Sequence, residues 1–185
     1  MKKEIRDSIQ KQRDSLSKEK VLELSKKIGH NLLNLKWYKK AKSVMYFVSF
    51  NNEAHTHDLI KNAFGKKIVI VPKIVNRQIE PSMIIDFDNL ISSGKFGILE
   101  PIELMKIAYK NIDLILVVGI AFDKEGYRLG YGLGYYDKLL TKVPKAVKIG
   151  LAFDFQIVDK LPREQYDVPV DLIVTDERVI ECRKD

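Results

Sequence analysis

Apolar positions along the first part of the chain recur at helical spacing. Ile5, Ile9 and Leu16 share a stripe over Lys2 to Leu16, with Lys, Arg, Gln and Asp at the other positions. Ser17 is placed to cap a second helix over about 18–36. There Val21, Leu24, Ile28 and Leu32 recur at i, i+3 or i+4, and Leu22 and Leu33 widen the face. The period then changes. Ser43 to Val48 is a short β-rich apolar run, followed by polar Ser49 to His55 and a helix after Thr56. Lys67 to Val71 reads as a buried strand ended by Pro72, and Met83 to Phe87 as a weaker third strand. Asp113 to Val118 is a strong strand closed by Gly119. Asp137 to Thr141 reads as a helix, Val147 to Ala152 and Leu172 to Thr175 as strands, and Val179 to Cys182 as an edge strand.

Strands that are apolar throughout and alternate with helices belong to a sheet covered on both faces. The pattern therefore predicts an α/β fold with much parallel pairing. No repeat, low-complexity tract or composition shift marks a linker, so the 185 residues are read as one domain, 1–185. The formal net charge of +7 is unevenly placed. Residues 1–42 hold 13 basic and 5 acidic side chains, and the remainder is close to neutral. Such an N-terminus suits a polyanionic partner. A nucleic-acid-binding module is disfavoured, however, because the aromatics of residues 1–42 are confined to Trp37 and Tyr38. A single cysteine, Cys182, excludes an internal disulfide and a cysteine-based zinc site. With no apolar run near the roughly 18 residues of a membrane span and no signal-peptide core, a cytoplasmic chain with no membrane partner is expected.

The densest chemistry lies between Gly119 and Asp137. Gly126, Gly130, Gly132 and Gly134 are four of the ten glycines, and four of the eight tyrosines accompany them. Glycine at every second position lets backbone amides converge on a ligand, and a helix start beyond the loop adds free N–H groups, a geometry suited to phosphate. A plain flexible turn is the alternative. Arg128 and Asp137 supply the cation and acid of a magnesium–nucleotide site. Neither a Walker P-loop nor the dinucleotide glycine spacing is present. Lys2 and Arg6 lie one helical turn apart, on either a solvated basic face or a binding face. Glu53 follows a buried strand, as a ligand-binding acid or an ordinary loop acid. His55 and His57 read as a helix-start pair and not a metal site.

The chain carries, in order over essentially its whole length, Lys2-Lys-Glu-Ile-Arg6, Ser49-Phe-Asn-Asn-Glu53, Phe96-Gly-Ile-Leu-Glu-Pro101, the glycine–tyrosine phrase Gly119 to Asp137, and Asp167-Val-Pro-Val-Asp-Leu-Ile-Val-Thr175. Taken together, these phrases resemble the 5-formyltetrahydrofolate cyclo-ligase (5,10-methenyltetrahydrofolate synthetase) family. Departures are Val118 where proline is usual, Leu133 where glycine or a basic residue is common, Lys138 for arginine and Tyr166 for histidine.

The resemblance implies a three-layer α/β/α Rossmann-like sandwich with a mostly parallel sheet, like that of sugar-phosphate isomerases and CoA transferases. It implies ATP- and Mg²⁺-dependent cyclisation of 5-formyltetrahydrofolate to 5,10-methenyltetrahydrofolate, through an N5 iminium phosphate, by a monomer acting on small molecules. It places ATP on Lys2, Lys3, Glu4, Ile5 and Arg6, and on Arg128, Leu129, Gly130, Tyr131, Gly132, Leu133, Gly134, Tyr135 and Tyr136. Mg²⁺ falls to Asp137 and Asp167. The folate falls to Val48, Glu53, Phe96 and the stretch from Tyr131 to Tyr135. Arg128, Glu53 and Tyr135 are the implied catalytic residues. A same-fold enzyme acting on another phosphate or a CoA ester is the alternative.

Overall fold

The computed structural model describes residues 2–93 and 97–182. Helix α1 spans Lys2–Asp14 and α2 spans Lys18–Asn34, with the Ser17 side chain accepting the Lys20 amide at the α2 N-cap. The α1 stripe holds at Ile5 and Ile9, but Leu16 lies beyond the helix; Ile9 and Arg13 are its buried residues. The second helix ends earlier than its apolar pattern implies. Leu35 turns extended, and a separate five-residue helix, α3 (Lys36–Lys40), follows.

Strand β1 (Ser43–Met45) is shorter than its apolar run: the Tyr46 amide makes a last bond to Ile70 O, and Phe47 and Val48 leave the ladder while staying buried. After α4 (His57–Ala63) come β2 (Ile68–Val75) and β3 (Gln78–Ile84). Two expectations are corrected here. β2 does not stop at Pro72. β1 pairs with β2 only as far as Ile70, and Pro72 stands opposite Pro81 of β3, where neither partner has an N–H to give. The third strand also begins at Gln78, not Met83, because Asn76 and Arg77, with φ of 49° and 59°, make a two-residue hairpin turn. Phe87–Asn89 is a 3₁₀ turn.

The remaining elements are β4 (Leu90–Ser93), β5 (Ile98–Pro101), β6 (Leu114–Val117), β7 (Ala121–Asp123), β8 (Arg128–Leu129), α5 (Tyr135–Lys142), β9 (Val147–Leu151), β10 (Ile157–Val158), β11 (Leu172–Val174) and β12 (Val179–Glu181).

Seven strands form the main sheet in the order β12-β11-β9-β6-β1-β2-β3. The five central strands are parallel, and β12 and β3 close the edges antiparallel. Strand order runs in opposite directions from β1, so the switch point lies between the C-terminal ends of β1 and β6, where open α/β sheets bind ligands.

Alternation along the strands fills two cores. Val44, Val69, Leu114, Leu116 and Val174 pack with Ile28 and Leu32 of α2 and Ile60 of α4. Met45, Ile70, Ile115, Val117 and Ile173 pack with Leu139 and Leu140 of α5 on the other face. The architecture is thus α/β/α, as the sequence implied. Full burial of a side chain such as Leu32 or Ile28 contributes about 1.5–3 kcal/mol.

A smaller sheet, β10-β7-β8, stands against the main one. It is seated by Phe122, whose ring fills the space left by two glycines. A Cβ built at Gly119 or Gly150 would lie 2.8 or 2.7 Å from that ring. Asp123, fully buried, closes the β7–β8 turn by accepting the amides of Glu125, Tyr127 and Leu161.

Candidate active site

Glu53 sits on the segment leaving β1 at the switch point. Thr56 folds that segment back: its hydroxyl donates to Phe47 O at 2.7 Å and accepts the Ser49 amide, while Ser49 Oγ accepts the Thr56 amide. The brace sinks Glu53 to 7% exposure, and the Phe50 amide donates to Glu53 Oε2 at 2.9 Å. Burial pushes the Glu53 carboxyl up from its ordinary value. The Phe50 amide, the Arg13 guanidinium and the Tyr131 hydroxyl pull it back. Glu53 is therefore not a solvated loop acid. Val48 is buried immediately upstream of it.

The glycine-rich segment leaves β8 of the small sheet, not β6 of the main sheet as the sequence implied. It enters α5 at Tyr135, two residues before the predicted helix start. Gly132 and Gly134 have φ of 96° and 64°, so both need glycine's freedom. No atom lies within 4 Å of where a Cβ would stand on Gly130 or Gly134, and at Gly132 the nearest is Arg6 Nη2 at 4.0 Å. The glycines therefore face open space, and the N-terminal amides of α5, beyond an N-cap that offers no side chain, border it. Leu133 is 65% exposed.

Helix α1 closes one side of this space. Arg6 Nε donates to Gly130 O at 3.1 Å, and Lys2 Nζ pairs with Glu164 Oε1 at 2.7 Å. Their basic face is thus engaged. Lys3 and Glu4 are exposed, while Ile5 and Leu129 pack with Ile9, Ile120 and Leu161 and so meet the core through their side chains.

Arg128 is almost wholly buried. Its Nη2 donates to Asp137 Oδ1 at 2.7 Å, its Nη1 donates to Val168 O, and its guanidinium lies 6.0 Å from the Tyr136 ring centroid. The Val168 amide also donates to Asp137 Oδ1, which brings Asp137 beside the segment carrying Asp167. Asp167 Oδ2 accepts the Glu164 amide. Tyr135 and Tyr136 pack against the α5-side core, and burial pushes the Tyr136 hydroxyl well above its ordinary value. Phe96 lies outside the described residues.

Tyr131 joins the two halves. Its hydroxyl donates to Glu53 Oε1 at 2.9 Å and accepts from Arg13 Nη2 at 2.9 Å. Arg13 was not singled out in the sequence. The available signal was its place four residues after Ile9, on the helix stripe that faces inward.

The family model for 5-formyltetrahydrofolate cyclo-ligases matches residues 1–176. The 5-formyltetrahydrofolate cyclo-ligase of Haemophilus influenzae is 30% identical over 94% of this chain and 97% of its own length. A solved 5,10-methenyltetrahydrofolate synthetase from Aquifex aeolicus superposes with a TM-score of 0.88 at 38% identity, covering 100% of this chain and 94% of that one. The Mycoplasma pneumoniae synthetase gives 0.73 at 26% identity, over 95% of this chain and 98% of that one. With the fold, the ordered phrases and a match along nearly its full length in agreement, the chain belongs to the 5-formyltetrahydrofolate cyclo-ligase family.

Proposed function

We propose that this chain converts 5-formyltetrahydrofolate and ATP, with Mg²⁺, to 5,10-methenyltetrahydrofolate, ADP and phosphate. The observation that carries this reading is the meeting of α1, the open glycine cradle and buried Glu53 at one switch point, joined through Tyr131. A triphosphate fits the cradle because the positions where Cβ atoms would stand are empty and amides and Arg6 border them. In this reading Mg²⁺, which takes hard oxygen ligands, keeps several waters and is shared with phosphates, would be held by Asp137 and Asp167, whose segments meet where the Val168 amide donates to Asp137 Oδ1. Bound there, it would supply positive charge to the phosphate oxygens.

In this reading the protein positions and neutralises more than it reacts. Lys2 and Arg6 hold the triphosphate, and the loop amides orient its terminal phosphoryl toward the formyl oxygen. Arg128, kept straight by Asp137 and Val168, offers charge to the migrating group. Glu53 orients the pterin and formamide with its acceptor oxygens while N10 closes the ring and phosphate leaves. Tyr135, Val48 and Phe96 wall the folate. The same reading takes the chain as one cytoplasmic domain acting as a monomer on small molecules, without nucleic acid or membrane. Among the described residues no helix is long and apolar enough to cross a membrane. The test is an absorbance assay for the methenyl product with ATP, Mg²⁺ and 5-formyltetrahydrofolate. No product from well-folded protein refutes the proposal. Stabilisation by a CoA ester and not by ATP–Mg²⁺ would favour a same-fold enzyme of another class.

A further inference from the structure

Arg13 is 2% exposed, yet its Nε and Nη1 have no hydrogen-bond partner. A buried guanidinium is costly unless something repays its desolvation, and two orphaned donors add to that cost. Its one contact through Nη2 is the Tyr131 hydroxyl, which in turn donates a hydrogen bond to Glu53 Oε1. A buried cation and a buried carboxylate are therefore linked through one hydroxyl. That hydroxyl belongs to the glycine loop.

We propose that Arg13 is a positioning residue for the cyclisation, one that keeps Glu53 ionised and correctly turned by acting through the Tyr131 hydroxyl. This rests on the cyclo-ligase reading of the site. The groups that face Glu53 are the Phe50 amide on its own segment, Arg13 from α1, Tyr131 from the glycine loop and Tyr136 from α5. Arg13 is the sole cation among them. Arg128 meets Tyr136 instead. Burial alone drives the Glu53 carboxyl toward its neutral, proton-donating form, which would present an O–H where the substrate needs an acceptor. The Arg13 charge opposes that. The Tyr131 hydroxyl, with its proton directed at Oε1, fixes which carboxylate edge remains for the ligand. Burial and the neighbouring Glu53 carboxylate push the Tyr131 hydroxyl up to about 12, so its proton stays in place through the working range. Anchoring of α1 does not require the guanidinium. The Asn52 side-chain amide already holds the Arg13 and Leu16 carbonyls at 3.1 and 3.0 Å.

The test compares Arg13→Met, Tyr131→Phe and the double variant. Arg13→Met should move the acid limb of kcat/KM for the folate up by about one pH unit, an approximately tenfold loss on that limb. Its thermal midpoint should fall more at neutral than at acid pH, because above the Glu53 midpoint the variant leaves a buried carboxylate without its cation. Tyr131→Phe should move the limb in the same direction, and the double variant should move it no further than Arg13→Met. The Glu53 carboxyl, titrated by carbon-13 NMR in the free proteins, should rise in midpoint in the same order. That measurement needs no turnover. A rise there with no methenyl product from the wild type would support the relay and refute the cyclo-ligase reading. Turnover with an unmoved Glu53 midpoint and an unmoved acid limb in Arg13→Met would overturn the relay. If Arg13→Met does not fold, Arg13→Lys with Tyr131→Phe decides the matter: a retained limb in the first and a displaced limb in the second support the relay, and equal limbs refute it.

Discussion

Gly130→Ala separates a ligand cradle from an ordinary turn. The Gly130 backbone is outside the left-handed region, and a Cβ there would meet nothing within 4 Å, so the folded protein accepts the methyl without strain. Fewer accessible unfolded conformations should leave the variant as stable as the parent or more stable by about 0.4–1 kcal/mol. The carbonyl that accepts from Arg6 Nε is untouched. The methyl nevertheless occupies the space proposed for a phosphate, and it holds the anion away from the loop amides. Losing one charge-assisted hydrogen bond costs about 1.5–3 kcal/mol, roughly ten- to hundredfold in affinity. Calorimetric titration with ATP–Mg²⁺, alongside thermal melts, reads both quantities. ATP binding within twofold of the wild type in a stable variant would place the triphosphate elsewhere. A large fall in stability would instead show that the space around Gly130 is not open.

Other predictions concern the framework and the charges. Gly150→Ala drives a Cβ to 2.7 Å from the buried Phe122 ring and should cost about 1–3 kcal/mol in denaturant melts, the expense of overpacking. Asp137→Ala leaves the buried Arg128 guanidinium with the Val168 carbonyl alone; a stability loss of about 3 kcal/mol, measured by urea unfolding, is expected. Because the Glu53 carboxyl sits above its ordinary 4.5 in the folded protein, its contribution to stability is present below that value and is lost as pH rises through the elevated one. Urea melts across this range should therefore show Glu53→Gln gaining on the wild type as pH rises, and a constant difference would contradict the burial of that carboxyl.

Much of this fold was legible because its central strands are rich in apolar residues. Leu114 to Val117 is an unbroken apolar run, Val147 to Leu151 is broken only by Lys148 and Gly150, and both lie in the sheet. The elements missed were those whose pairing partner decides them. β7, β8 and β10 are two or three residues long, and nothing local separates them from turns. The β2–β3 turn uses Asn76-Arg77, a pair without the glycine that usually signals such a hairpin. Pro72 ends a strand by the ordinary rule, and only its placement opposite Pro81 overrides it.

The candidate site was legible where chemistry concentrates in sequence, at the glycine phrase and Glu53, which the fold brings together through Tyr131. It was not legible where contacts are remote. The bonds from Lys2 to Glu164 and from Arg6 to Gly130 join residues 162 and 124 positions apart, so no helical spacing could tell a binding face from a solvated one. Arg13 escaped for a related reason, since charged residues on α1 are abundant and its burial depends on a hydroxyl from the glycine loop.

Helix α1 fully buries one apolar side chain, Ile9, sets Ile5 partly buried beside it, and is otherwise fastened by polar contacts to the glycine loop, Asn52 and Glu164. A helix with so little apolar area underneath can detach without the sheet unfolding, so its free energy of opening lies well below the global value. Amide hydrogen exchange in α1 should be the first of the helices to report, with β6 and β9 last. Where the phosphates bridge α1 and the loop, nucleotide should slow that exchange selectively. In the proposed function the segment would serve as a latch, open to admit nucleotide and closing on it, so that substrate capture is tied to local folding.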